Sequence, residues 1–167
     1  MCSSDLDHAS TSPLRPAALE AMLPFLTEHQ ADPGRLHAEG RTTRVALEVA
    51  REQVAALVGA RPREVVFTSG GTEAANAAVH GAIARALERG AAPHVVVGAV
   101  EHSCVLESIE RAVVRCGGTV TVIGCGPDGT VTPTHVAAAV RAETALVAVQ
   151  LANREVGTIQ PVGETVA

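Results

Sequence analysis

Apolar and polar positions along the chain change rhythm near residue 64. Before that point the spacing is helical. In TSPLRPAALEAMLPFL, Leu19, Met22, Leu23 and Leu26 fall on one face, Ser12 can cap the start with Pro13 in the first turn, and Pro24 is placed to kink or end the helix. A polar stretch follows, TEHQADPGRLHAEGR, with a turn signal at Asp32-Pro33-Gly34. A second helix is predicted over 41–58, with Val45, Val49 and Ala56 on a stripe, Leu57 beside it, and Gly59 as C-terminal cap.

From residue 64 onward the pattern is short β-branched runs: EVVFT (64–68), HVVVGAV (94–100), TVTVIG (119–124) and TALVAVQL (144–151). Between them lie helical segments at about 72–89, 103–115 and 133–142. Gly126-Pro127-Asp128-Gly129 reads as a turn, and Thr132-Pro133 opens the last of these helices. Alternation of strand and helix with crossover-length connections predicts an α/β fold with a mainly parallel sheet flanked by helices.

In such folds ligands sit beyond the carboxyl ends of the strands. The stretch FTSGGTEAAN (67–76) runs from the first apolar segment through two glycines into a helix expected to begin at Thr72. Glycines let a ligand approach the backbone, and the free N–H groups and positive dipole end of a helix favour phosphate. A steric reason for the glycines, a tight turn, is the competing reading. The pattern matches neither the P-loop nor GxGxxG. His102 follows the second segment and Asn153 the fourth, so both are placed on the same rim, although either residue type also serves as an ordinary cap.

Composition narrows the classes. At 167 residues and 47% hydrophobic, the chain is long and apolar enough for a packed core. There is no Trp or Tyr, the net charge is −5, and no basic patch appears, so a nucleic-acid partner is not expected. No apolar run reaches the roughly 18 to 20 residues that span a bilayer, so no membrane partner is expected, and a cytoplasmic setting is. Cys2, Cys104, Cys116 and Cys125 are scattered without a CxxC pair, which argues against a zinc site and for four small, semi-buried, reduced thiols. All thirteen basic residues are Arg, and the chain contains no lysine. Residues 1–6, MCSSDL, share no pattern with the rest and equal a translated sequencing-adapter stretch, so they are expected to be a non-native leader.

Taken together, LDHASTSP, RLHAEGR, VVFTSGGTEAAN, EHSCVLES, PDGTV and LANREVGTIQPVGE resemble, in order and spacing, cysteine desulfurases of the NifS/IscS type. These are pyridoxal-phosphate enzymes of fold type I, in the aminotransferase class V group. The resemblance implies an N-terminal helical segment over 7–60 and part of the large cofactor-binding domain over 61–167. The rest of that domain and a small C-terminal domain would lie beyond Ala167.

It implies pyridoxal 5'-phosphate as cofactor, with Gly71 and Thr72 on its phosphate, His102 stacked on its ring and able to shuttle protons, and Asn153 on its phenolic oxygen. The implied reaction removes sulfur from L-cysteine, giving L-alanine and an enzyme persulfide, with sulfur transfer to iron–sulfur cluster assembly. The implied partners are a second copy in a homodimer and a sulfur-acceptor protein. The family's Schiff-base lysine has no counterpart in a chain without lysine, so the chain by itself is expected to be inactive. His37 falls in a family motif without an assigned catalytic role. Arg154 stands where the family often has Asn, and Cys104 is expected to pack rather than act as nucleophile. Other readings stay open here: a related class V enzyme such as a selenocysteine lyase, a non-catalytic scaffold that keeps a phosphate pocket, and a Rossmann nucleotide binder.

Overall fold

The computed structural model describes residues 11–165. The expected leader at 1–6 and Cys2 lie outside these residues. The chain divides into two compact units between Phe67 and Thr68, against an expected boundary at 60/61.

The first unit is helical. Helix α1 (Pro16–Thr27) starts three residues later than the Ser12 cap would place it, with Arg15 as N-cap and Pro16 in the first turn. Pro24 lies inside α1 and does not end it. The stripe of Leu19, Met22, Leu23 and Leu26 is about half exposed. An apolar stripe marks the side a helix can bury, but a neighbour must be there to bury it.

Asp32-Pro33-Gly34 turns as expected, with Gly34 N donating to Asp32 Oδ1 at 2.7 Å. Helix α2 (Ala38–Val58) begins before Arg41 because His37 caps it, Nδ1 accepting from Gly40 N at 3.2 Å. Gly59 closes α2 in the left-handed region (φ 68), where a side chain would be strained. Ala55 is the buried apolar residue of α2, while Val45, Val49, Ala56 and Leu57 are exposed, so the expected stripe is not the packed one.

The segment 64–68 is not a strand. After a 3-10 turn at Pro62–Glu64 residues 65–68 carry no ladder, because β-branched residues suit a pleated surface but cannot supply a pairing strand. Arg51 holds it against α2 instead. The guanidinium donates to Val65 O at 2.6 Å and lies 5.1 Å over the Phe67 ring, which explains why 61–67 joins the first unit.

The second unit is the α/β layer. Three parallel strands, β1 (His94–Gly98), β2 (Thr119–Ile123) and β3 (Thr144–Ala148), lie in the order β2-β1-β3. The central strand β1 is buried along its whole length, as its unbroken apolar run requires. Helices α3 (Gly71–Glu88) and α4 (Ser103–Arg115) cover one face, where Val79, Ile83, Ile109, Ala112 and Val113 pack on Val95 and Val97. Val136 of α5 (Pro133–Ala139) covers the other face with Val131, against Val96 and Ile123. Thr132 caps α5 as expected. A one-turn helix, α6 (Val162–Thr165), follows.

His94 opens β1 and is fully buried. Its ring nitrogens meet Thr144 Oγ1 at 2.8 Å and Thr121 Oγ1 at 2.9 Å, so one imidazole ties the central strand to both neighbours. Burial lowers its pKa, with Arg141 adding to the effect and Glu143 opposing it. A folded-state pKa below the unfolded value means stability that is complete above the unfolded value of about 6.5 and is lost as pH falls below it. The thermal midpoint is therefore expected to drop between about pH 7 and pH 5, before the carboxylates titrate. His94→Leu should flatten that slope. A wild-type midpoint that is level across this range would contradict the assignment.

Candidate functional site

Three features converge where the strands of the second unit end. The first is the start of α3. Its first backbone bond runs from Ala74 N to Gly70 O, leaving the N–H groups of Gly71, Thr72 and Glu73 without intrahelical partners. Neither glycine is required by backbone strain, since Gly70 is extended (φ 169) and Gly71 is helical. A Cβ on either would meet nothing within 4 Å. The tight-turn reading of these glycines therefore fails, and what they provide is open space above unpaired N–H groups. Glu73 turns back to accept from Ser69 Oγ and Ser69 N, both at 2.6 Å. Those two bonds hold its carboxyl below the ordinary carboxylate range and keep it off the helix-start N–H groups. This helix start follows irregular chain, not the strand end expected at Thr68-Ser69.

The second feature is His102, the N-cap of α4. Its Nδ1 accepts from Cys104 N at 3.1 Å and lies 3.0 Å from Cys104 Sγ, and its backbone N–H donates to Glu101 Oε2 at 3.0 Å. The third is Asn153. Its Oδ1 accepts from the backbone N–H groups of Glu155 (2.8 Å) and Val156 (3.0 Å), and the turn closes through Gly157 at φ 77. Its Nδ2 donates to Val100 O at 3.3 Å. An amide nitrogen carries two protons, so one remains for a further acceptor.

Two cavities join these features. A smaller one of about 280 Å³ is lined by Thr72, Asn76, His102, Ser103, Cys104 and Ser108 among others. A larger one of about 940 Å³ is lined by His102, Gln150, Asn153 and Arg154, with the turn around Asp128. His102 belongs to both, so it bridges the Thr72 side and the Asn153 side. Among the described residues, Ser108 Oγ is the buried side-chain atom without a hydrogen-bond partner, and Ser108 lines the smaller cavity. Asp128 is held below the ordinary carboxylate range by the backbone N–H and hydroxyl of Thr130. Arg154, in the middle of the Asn153 turn, lines the larger cavity.

Sequence reasoning missed Gln150. Its amide donates to Val100 O, the acceptor that Asn153 also uses, so one carbonyl two residues before His102 receives both amides. It also missed Gln160, which is buried and spans the Asp128 turn, donating to Gly129 O and accepting from Val131 N, both at 2.8 Å. A glutamine directly after an apolar strand, and another inside an apolar stretch, are the signals that pointed there. The described cysteines are free. Cys104 and Cys116 are half-buried as expected, whereas Cys125 is exposed. Among the described residues no cluster of metal-ligating side chains forms, and no helix is long and apolar enough to cross a membrane.

The parallel α/β layer thus places a helix start, His102 and Asn153 around two cavities, and open α/β sheets bind ligands beyond the carboxyl ends of their strands. The aminotransferase class-V family pattern matches residues 5–167, and the chain belongs to that family. It is 40% identical over 159 residues to cysteine desulfurase IscS of Dictyoglomus turgidum, covering 95% of this chain and 40% of that protein. It is 45% identical over 161 residues to a cysteine desulfurase of Frankia sp., covering 92% and 38%. A solved structure described as SspA in complex with cysteine superposes with a TM-score of 0.88 at 31% identity, covering 98% of this chain and 46% of that one. The chain thus spans about two-fifths of the length of these relatives. Its sheet and flanking helices are those of the fold-type-I layer in NifS-like structures.

Proposed function

We propose that this chain forms the pyridoxal 5'-phosphate-binding face of a cysteine desulfurase. The observation that carries the reading is the continuity of the site: Thr72 at the α3 start and His102 share one cavity, and His102 and Asn153 share the next. The donor set fits the cofactor. The free N–H groups of Gly71 and Thr72, with the Thr72 hydroxyl and the dipole of an 18-residue helix, would hold the phosphate. His102 would face the pyridine ring, and Asn153, clamped through Oδ1, would have one N–H left to offer the phenolic oxygen. Bound there, the cofactor supplies an electron sink for charge developed at the substrate Cα.

The substrate in this reading is L-cysteine, and the products are L-alanine and an enzyme persulfide. The names of the relatives support it, as does the cysteine bound to SspA. The chain contains no lysine, so the lysine that the reaction needs is not one of its residues. Homodimerisation, a sulfur-acceptor protein and a cytoplasmic setting belong to the same proposal.

The test uses an enzyme of this family that carries this chain together with a Schiff-base lysine. His102→Ala is expected to slow alanine formation from L-cysteine by roughly 100-fold or more, the scale of losing one preorganised polar contact at the reacting centre. Pyridoxal phosphate should still bind through the α3 start. An unchanged rate would refute the role of His102.

A further inference from the structure

His102 and Cys104 form a pair that the proposed reading does not use. His102 Nδ1 accepts from the backbone N–H of Cys104 at 3.1 Å, and the sulfur of the same residue lies 3.0 Å from that nitrogen. A backbone N–H can only donate, so Nδ1 offers it a lone pair, and a proton on Nδ1 would cost that bond. The neutral imidazole then has its proton on Nε2. The same constraint acts on the sulfur. With Nδ1 unprotonated, the thiol keeps its hydrogen and points it at Nδ1. A thiolate–imidazolium pair, which would make Cys104 a nucleophile, requires a proton on Nδ1 where the backbone N–H already sits. Among the described residues, Nε2 has no hydrogen-bond partner of its own.

We propose that Cys104 is a positioning residue for His102, holding it as the Nε2–H tautomer, so that the resting imidazole offers the site a hydrogen-bond donor and an aromatic face, not a base. The basic lone pair of that tautomer is on Nδ1, and both donors of Cys104 cover it. Taking up a proton would require the imidazole to leave its capping bond at the start of α4. This narrows the proton-shuttle role that the family resemblance implies. It rests on the proposed cofactor site for its consequence in catalysis, while the tautomer itself is a property of the chain alone.

The experiment reads the ring nitrogens of His102 by two-bond 15N–1H correlation in the uniformly labelled chain without cofactor, at a pH where the ring is neutral. The wild type should show the Nε2–H pattern, and Cys104→Ser, which keeps both donors, should match it. Cys104→Ala keeps only the backbone donor and should raise the Nδ1–H share by roughly threefold or more, the scale of losing one weak neutral hydrogen bond. Cys104→Pro removes both donors at a first-turn position that tolerates proline, and should raise that share further. An Nδ1–H pattern in the wild type would overturn the proposal. So would a Cys104→Ala spectrum identical to wild type, which would reduce the thiol to packing. Adding pyridoxal phosphate to the same samples separates the two ideas. An Nε2–H ring that does not respond to the cofactor leaves the tautomer assignment standing and counts against the cofactor site.

Discussion

Gly71→Asp is expected to weaken pyridoxal phosphate binding to the chain by at least about tenfold, or roughly 1.4 kcal/mol, while leaving its thermal midpoint unchanged or slightly raised. Position 71 is the first residue of α3, with open space where a side chain would project. A carboxylate there meets the positive end of the helix dipole and stabilises the helix by a few tenths to about 1 kcal/mol. The same carboxylate occupies the space assigned to a phosphate and repels it. Stability and binding thus move in opposite directions, which unfolding cannot imitate. Gly71→Asn supplies the neutral control and should lose less affinity. A Gly71→Asp chain that binds the cofactor as tightly as wild type would remove the phosphate from the α3 start.

Ile109→Ala should lower the unfolding free energy by about 3 kcal/mol, within the usual range for emptying a buried aliphatic site. Ile109 is 1% exposed and belongs to the cluster that joins α4 to Val95 and Val97 of β1 and to Val79 and Ile83 of α3. Val79 and Ile83 are the residues that α3 brings to that cluster, and the other apolar positions of α3 are mostly alanine. Little is available to move into the gap, so the cavity term stays large. The loss would be read as a lower urea midpoint at constant slope. Val114→Ala on the exposed side of α4 should change stability by less than about 0.5 kcal/mol. An Ile109→Ala loss under about 1 kcal/mol would mean that the contact between α4 and β1 does not hold His102 in place.

Much of the second unit was legible in the chain. The runs at 94, 119 and 144 are β-branched, short and bounded by turn residues, and each became a parallel strand. In α4 the positions 105, 106, 109, 112 and 113 repeat at helical spacing and turn toward the sheet. Segment 64–68 carries the same composition and fails as a strand, since pairing depends on a second strand that propensity cannot report. The start of α1 was ambiguous for a local reason: Ser12-Pro13 and Arg15-Pro16 both place a proline in a first turn, and the structure uses the second. The rim residues Gly71, Thr72, His102 and Asn153 could be named from their places after apolar segments. The contacts that orient them could not. Gln150 and Asn153 reach Val100 across separations of 50 and 53 residues, and no local pattern encodes that meeting. The Cys104 bond to His102 is local, yet thiols pack as often as they donate, so spacing alone did not select it.

The most direct test of the cofactor site is a titration of the 15N-labelled chain with pyridoxal phosphate. With no lysine in the chain, no internal side-chain amine competes for the aldehyde. The amides of Gly71 and Thr72, the His102 ring and the Asn153 side-chain amide are expected to shift together with one affinity, while inorganic phosphate moves the first two alone. If these four positions stay unmoved while the cofactor binds elsewhere, or if none responds at any concentration, the strand-end site assigned here is wrong.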